Sequence, residues 1–202
     1  MSAAEIDAVF RTIDRPVWIV TAADGHRRGG LTATWVYQAS LDAEAPVAVA
    51  GIAPGHFTAE LIAASGFFAA HLLTPEQAPL ALRFAISSGR ETDKLAGLEH
   101  VLGLTGCPIL SDCLAWLECK VFHAHSTGDR YFYWADVVAG ESVSAALPLT
   151  ERELFAAAGE DDKRRLKELL ATDIAAQRPL RAAWRNALAG CLSAKGRADG
   201  PA

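Results

Sequence analysis

Cysteine is scarce in this sequence, and none of Cys107, Cys113, Cys119 and Cys191 forms a Cys-x-x-Cys pair. That argues against both a disulfide-stapled secreted framework and a familiar zinc pattern. No apolar run approaches the roughly 20 residues that a membrane-spanning helix needs. There is no basic excess: 19 Lys and Arg against 24 Asp and Glu leave a net charge of −5. A general nucleic-acid binder normally carries the opposite sign, so nucleic acid is not an expected partner. The phosphate-binding P-loop, the dinucleotide Gly-x-Gly-x-x-Gly, the Gly-x-Ser-x-Gly elbow and the His-Glu-x-x-His zinc motif are all missing. The first residues, Met-Ser-Ala-Ala-Glu-Ile-Asp, are acidic and lack an apolar core segment. A signal peptide is therefore not expected, and the expected location is cytoplasmic, away from membranes.

What is present is enough apolar residue for one core, 51% of 202 residues. The length suits one domain with an appendage. The apolar spacing of Ile6, Val9, Phe10 and Ile13 predicts a helix over 3–13. Val17–Thr21 is β-branched and aromatic and reads as a strand. Asp24-Gly25 is a hairpin signal, returning the chain as a second strand through Leu41. That return, Gly29 to Leu41, combines two glycines with small hydroxylic residues, a plausible place to hold a ligand. Val47–Ile52 reads as a buried strand. Phe57–Ser65 has helical spacing and stops at Gly66.

The junction at Pro54-Gly55-His56 is the more informative of these features. A helix start offers free backbone N–H groups and partial positive charge, and His56 and Thr58 can add donors. An anion such as phosphate suits it, although most helix starts meet only water.

Phe67–Leu73 reads as a strand interrupted by His71, which is most simply a core histidine with one hydrogen bond. Thr74-Pro75-Glu76-Gln77 opens a further helix. Arg90–Gly97, with Asp93-Lys94, reads as a solvated loop, and Gly103–Pro108 as another loop. Leu114–His125 and Tyr131–Gly140 form a long hairpin around Ser126–Asp129, with aromatics on both faces. Cys113 and Cys119 near His123 and His125 could suggest a metal cluster. Their spacing fits none, and buried thiols in a sheet are the simpler reading, so no metal is expected.

The last fifty residues are helical. Thr150–Glu153 is a capping box, closed by Gly159. Residues 161–177 and a helix opened by Pro179 and closed by Gly190 predict a helical hairpin with an apolar stripe. The expected organisation is a barrel domain over 1–149, a helical extension over 150–192 packing on the barrel or a partner copy, and a disordered tail over 193–202. The strands are too often antiparallel for a doubly wound fold. The fold class expected is mainly β with inserted and C-terminal helices, closed as a six-stranded barrel.

Several pieces then occur in a telling order. They are Arg15–Thr21, Gly30–Trp35, Ala39–Asp42, His56–Ile62, Gly66–Ala69, Leu80–Phe84, Asp93–Gly97, Cys107–Leu110, Ala115–Cys119 and Gly128-Asp129. In that order, across roughly residues 10–148, the chain resembles the flavin reductase-like family with the FMN-binding split-barrel fold.

The resemblance implies a six-stranded split barrel, a homodimer, and FMN near the dimer interface. It implies that Leu31, Thr32, Ala33 and Thr34 line the flavin and that Ser40 and Leu41 add contacts. The segment Ala53 to Thr58, with Gly55, His56, Phe57 and Thr58, would hold the phosphate. His71 would reach the flavin edge, and Lys94 lies in a flavin-proximal segment.

Two departures stand out. The family often has Gly-Asp-His where this chain has Gly128-Asp129-Arg130, so Arg130 becomes the candidate on the nicotinamide side. Pro54-Gly55-His56 replaces a more usual Ser, Lys or Arg, which would make phosphate affinity depend on pH through His56.

The function implied is an NAD(P)H-dependent flavin reductase, with a monooxygenase or another electron acceptor as partner. The alternatives are an FMN-binding electron carrier or flavin store, and an interaction protein with an empty barrel. Hydride transfer to a flavin requires no acid or base from the protein, so no catalytic residue is assigned.

Overall fold

The computed structural model describes residues 2–143 and 145–198. A helix, α1 (Ala3–Thr12), precedes β1 (Trp18–Asp24), β2 (Arg27–Ala33), β3 (Val36–Gln38) and β4 (Val47–Ile52). Helix α2 (Phe57–Ser65) leads to β5 (Phe67–Leu72), and a 3-10 turn at Pro75–Gln77 leads to α3 (Ala78–Ile86). A two-stranded ribbon of β6 (His100–Leu102) and β7 (Pro108–Leu110) follows. The long hairpin β8 (Ala115–Ser126) and β9 (Tyr131–Ser142) then gives way to α4 (Glu151–Ala157) and α5 (Glu160–Ala198).

The main sheet has the order β2-β1-β5-β8-β9-β4-β3, with every pairing antiparallel. Its two edges, β2 and β3, are separated only by Thr34-Trp35. One stretch of chain therefore pairs with β1 through its first half and with β4 through its second. The sheet closes on itself by chain continuity. Seven strands are counted, and six result if β2 and β3 are taken as one strand broken in the middle. That break corrects the expectation of an unbroken strand through Leu41: no single straight strand can follow two neighbours that diverge around the barrel.

The barrel interior is filled with side chains, so it is not an empty container. Val20, Ala22, Ala50, Phe68, Ala70, Cys119 and Ala135 form one cluster, joined by Ala59, Leu61 and Ile62 from α2. The Tyr133 hydroxyl donates to the Ala59 carbonyl at 3.3 Å and ties α2 to β9. A second cluster lies outside β1, where Val17, Ile19 and Leu73 meet Ala81 and Phe84 of α3 and Leu154 of α4. Both faces of β1 are thus buried, which explains its continuous apolar run.

Strand β2 is squeezed between helices on its two faces. A Cβ on Gly29 would lie 3.0 Å from Phe57 of α2. One on Gly30 would lie 2.8 Å from the Phe84 ring and 2.9 Å from the Val20 carbonyl oxygen. A neighbouring backbone atom cannot swing away as a side chain can. Gly30→Val is therefore expected to destabilise the fold by about 2–3 kcal/mol, read as a lowered thermal midpoint. A midpoint unchanged within a degree would show that α3 can back off freely.

The C-terminal region departs from the predicted hairpin. Residues 160–198 form one helix with Pro179 inside it. Proline in a helix interior costs about 3 kcal/mol, but Ala175-Ala176-Gln177-Arg178 and Leu180–Ala183 on either side are strong helix formers. The segment beyond Pro179 also has a docking site to reach: Gly128, at the β8–β9 turn, lies against Leu180, Arg181 and Trp184. Gly190 does not end the helix. Residues 193–198, expected to be disordered, belong to it, and 199–202 lie outside the described residues. Among the described residues no helix is long and apolar enough to cross a membrane.

A cleft between the barrel and the C-terminal helix

The start of α2 forms one wall of a cleft of about 420 Å³. Gly30, Leu31 and Thr32 of β2, Ala53 to Thr58, the turn after α3 at Ser87–Gly89, and Lys94 all line it. Helix α5 closes the far side with Arg165, Leu169, Asp173 and Gln177. A smaller cleft of about 190 Å³ continues past Ala33, Thr34 and Trp35 to Arg130. Leu31, Thr32, Ala53, His56 and Asp173 belong to both. Together they form a connected site of the size small ligands use.

The α2 terminus is open. His56 is its N-cap in extended conformation and makes no side-chain capping bond. Gly55 has no atom within 4 Å of a would-be Cβ and does not have positive φ, so steric crowding does not explain its being glycine.

Lys94 occupies an unusual place for a lysine. It is 3% exposed, and its Nζ donates to the carbonyls of Phe84 at 2.9 Å and Ser87 at 3.0 Å. It takes part in none of the ion pairs among the described residues. Burial pushes its pKa down from 10.5 to about 8, so at neutral pH the charge is still present. A buried cation without a counter-ion, on the wall of a cleft that also contains a helix N-terminus, makes the site receptive to an anion.

His56 Nε2 stands 3.5 Å from an Asp173 carboxylate oxygen. Burial lowers the His56 pKa. Asp173 opposes that shift, while Arg130 and Lys94 reinforce it. Arg130 lies over the Trp35 ring at 5.2 Å, and Trp35 stacks on Phe132 at 6.2 Å. The Thr32 hydroxyl is committed to the Ala81 carbonyl at 2.6 Å, which fixes β2 to α3.

Three expected site residues lie elsewhere. His71 is fully buried within the sheet: its Nδ1 bonds the Ile19 carbonyl at 3.0 Å and its Nε2 accepts from the Leu110 amide at 3.2 Å. Burial takes its pKa down to about 4. Both ring nitrogens are thus engaged in tying β1, β5 and β7 together, leaving neither for a flavin edge. The Ser40 hydroxyl accepts from the Val47 amide at 2.8 Å and donates to the Ala45 carbonyl at 3.1 Å, shaping a turn away from the cleft. Leu41 is fully exposed.

Sequence reasoning missed Ser87–Gly89 and the α5 residues Arg165, Asp173 and Gln177. Nothing local in those segments marks them as facing a site. It also took Lys94 into a solvated loop. Asp93 remains at the surface and pairs with Arg28 at 2.9 Å, while its neighbour turns inward. The Cys119 thiol is buried and its pKa is raised to about 12, whereas His123 and His125 lie exposed. Among the described residues no group of three or more His, Cys, Asp and Glu is placed to hold a metal ion.

A split antiparallel barrel with a cleft beside its broken strand defines the class of fold. Within that class, the flavin reductase like domain family matches residues 10–156, and the chain belongs to it. It is 32% identical over 144 residues to the high molecular weight rubredoxin of Moorella thermoacetica, covering 70% of this chain and 62% of that protein. It is 33% identical over 89 residues to HsaB, the reductase subunit of a flavin-dependent monooxygenase of Mycobacterium tuberculosis, covering 44% of this chain and 46% of HsaB. The chain thus spans less than two thirds of either relative's length. Among solved structures, the FMN-binding protein of Thermus thermophilus superimposes with a TM-score of 0.60 at 28% identity, covering 64% of this chain and 71% of that one.

Proposed function

We propose that the chain binds FMN in this cleft and works as an NAD(P)H-dependent flavin reductase, passing electrons to a monooxygenase or another acceptor. The observation that carries the reading is Lys94: a buried cation with no carboxylate partner, on the same cleft as an uncapped helix start. The residues present fit a phosphorylated flavin. The backbone N–H groups of Gly55 to Thr58, with Lys94, would hold the phosphate, while Leu31 to Thr34 would support the ring. When bound, FMN would supply the redox chemistry for hydride transfer. The protein's part is to orient flavin and nicotinamide and limit water. Arg130 lines the smaller cleft and lies over Trp35, and in this reading it would attract the phosphates of NAD(P)H. The relatives named for an FMN-binding protein and a monooxygenase reductase subunit support the flavin and the acceptor.

A second copy of the chain completes this proposal. Leu41 is fully exposed, and Tyr37 and Trp134, which flank Val49 on neighbouring strands, are 47% and 37% exposed. Such a patch favours an interface. Ser40 and Leu41 would then contribute across it rather than within one copy.

One observation favours a second reading, an FMN-binding electron carrier without turnover. Helix α5 lies along the cleft where a nicotinamide would have to enter. Anaerobic stopped-flow mixing of the FMN-loaded protein with NADH and with NADPH decides between the two. Bleaching of the flavin band at a rate that rises with nucleotide concentration is expected. A band that stays oxidised with both nucleotides would leave the carrier. A protein that takes up no flavin, even after soaking, would end both readings.

A further inference from the structure

Helix α5 is not a passive cover, because it brings a carboxylate into the cleft. Asp173 borders both the larger and the smaller cleft, and among the described residues Glu91 is the only other acidic residue on either wall. The carboxylate lies 3.5 Å from His56 Nε2, at the N-cap of the helix whose start faces the cleft. It also acts electrostatically on Arg130. Asp173 thus already faces the groups that an incoming phosphate would use.

The helix is held in that place by contacts well away from the carboxylate. Trp184 meets His125 edge to face at 6.2 Å, and Arg181 pairs with Asp129 at 3.7 Å. A Cβ on Gly128 would fall 2.6 Å from the Leu180 carbonyl oxygen, so the turn and the helix are in close contact. The anchoring and the charge therefore sit on different residues and can be altered separately.

Resting on the flavin reading of the cleft, we infer that Asp173 is a specificity-determining residue that opposes the flavin's phosphate group. A phosphate dianion must share His56 and the α2 start with a fixed carboxylate, or displace it. An unphosphorylated flavin meets no such competition. Asp173 therefore lowers the preference for FMN over riboflavin and speeds FMN release, which suits a protein that hands flavin on rather than storing it. The groups facing Asp173 are His56 from the α2 start and Arg130 from the β8–β9 turn, with Lys94 further across the cleft.

The test is a pair of titrations on the full chain, FMN and riboflavin, followed by flavin fluorescence at fixed ionic strength. Asp173→Asn keeps the size and much of the hydrogen bonding but removes the charge. It is expected to tighten FMN about tenfold, mostly through slower release, and to leave riboflavin within about twofold. The gain should shrink at high salt. Trp184→Ala loosens the anchoring that holds Asp173 beside His56 and is expected to tighten FMN in the same direction as Asp173→Asn, but by less. An FMN-to-riboflavin ratio unchanged in Asp173→Asn, or weaker FMN binding, overturns the role of Asp173 while the flavin site stands. If neither flavin binds either protein, the flavin reading falls and this inference falls with it.

Discussion

Replacing Lys94 by methionine is expected to weaken FMN binding by roughly ten- to a hundredfold at neutral pH while changing riboflavin affinity little. The size follows from one charge-assisted contact to the phosphate, about 1.5–3 kcal/mol, where each 1.4 kcal/mol is tenfold. An ammonium group has three donors, and two of them serve the Phe84 and Ser87 carbonyls, leaving one for a ligand. Fluorescence titration with both flavins checks it. A loss of less than threefold in FMN affinity would place the phosphate elsewhere.

The same substitution has a signature in the ligand-free protein. Burial holds the Lys94 pKa near 8 against an ordinary 10.5. Below about pH 8 the lysine is charged both folded and unfolded, and the burial cost is carried in full. Between about 8 and 10.5 the folded chain has released its proton while the unfolded chain still holds it, so this group makes stability rise with pH. Above 10.5 its contribution is level. Urea midpoints measured across that window should show the rise in the natural chain and its loss in Lys94→Met. A residue retained at a cost to stability but needed for binding is what a functional site commonly shows.

Glu118→Ala is expected to cost the fold about 3–5 kcal/mol, the largest effect on stability anticipated here. Glu118 is 1% exposed inside β8. Its two oxygens accept from the Leu104 amide at 3.0 Å, the Thr105 amide at 2.9 Å and the Thr105 hydroxyl at 2.6 Å. The loop between β6 and β7 is thus wrapped around one side chain, closely enough that a Cβ on Gly103 would fall 2.2 Å from it. Alanine leaves three donors without partners and frees a loop whose last residue, Cys107, packs with Ala69 and Ile109. A chain of this length should lose roughly 10 °C in its thermal midpoint. Glu118→Gln should fall between the two, because its amide nitrogen cannot accept. A shift of only a degree or two in Glu118→Ala would show that the loop is held by its ribbon alone.

These two residues show why sequence reading reached some features and not others. The strands, the hairpin at Asp24-Gly25 and helix α2 with its Gly66 end were legible because each is written in neighbouring residues. Runs of β-branched, aromatic and apolar residues, a turn dipeptide and a left-handed C-cap glycine need no knowledge of distant chain. The anion-receptive α2 start was legible for the same reason. The burial of Lys94 and Glu118 was not legible, although the resemblance put Lys94 near the flavin, because a charged residue in a polar-looking loop or on a strand carries no local mark of burial. Each acquires its role from atoms many residues away. His71 went the other way: its flavin-edge role came from the resemblance alone, and the two backbone groups that occupy its ring come from β1 and β7.

The sequence by itself determined that this chain makes an antiparallel barrel with inserted helices, and it singled out the Gly29–Leu41 stretch and the helix start after Pro54-Gly55-His56; only the family resemblance narrowed these to Leu31–Thr34 and Ala53–Thr58 as expected ligand strips. The strands and the helix start follow from local composition, turn chemistry and the dipole of a helix end. Only the tertiary structure decided that the barrel closes through a broken strand at Thr34-Trp35, and that Lys94 turns inward. It alone showed that residues 160–198 run as one helix, placing Asp173 against His56. The physical reason is range: strand pairing, burial of a charge and docking of a helix are settled by contacts between segments far apart in the chain.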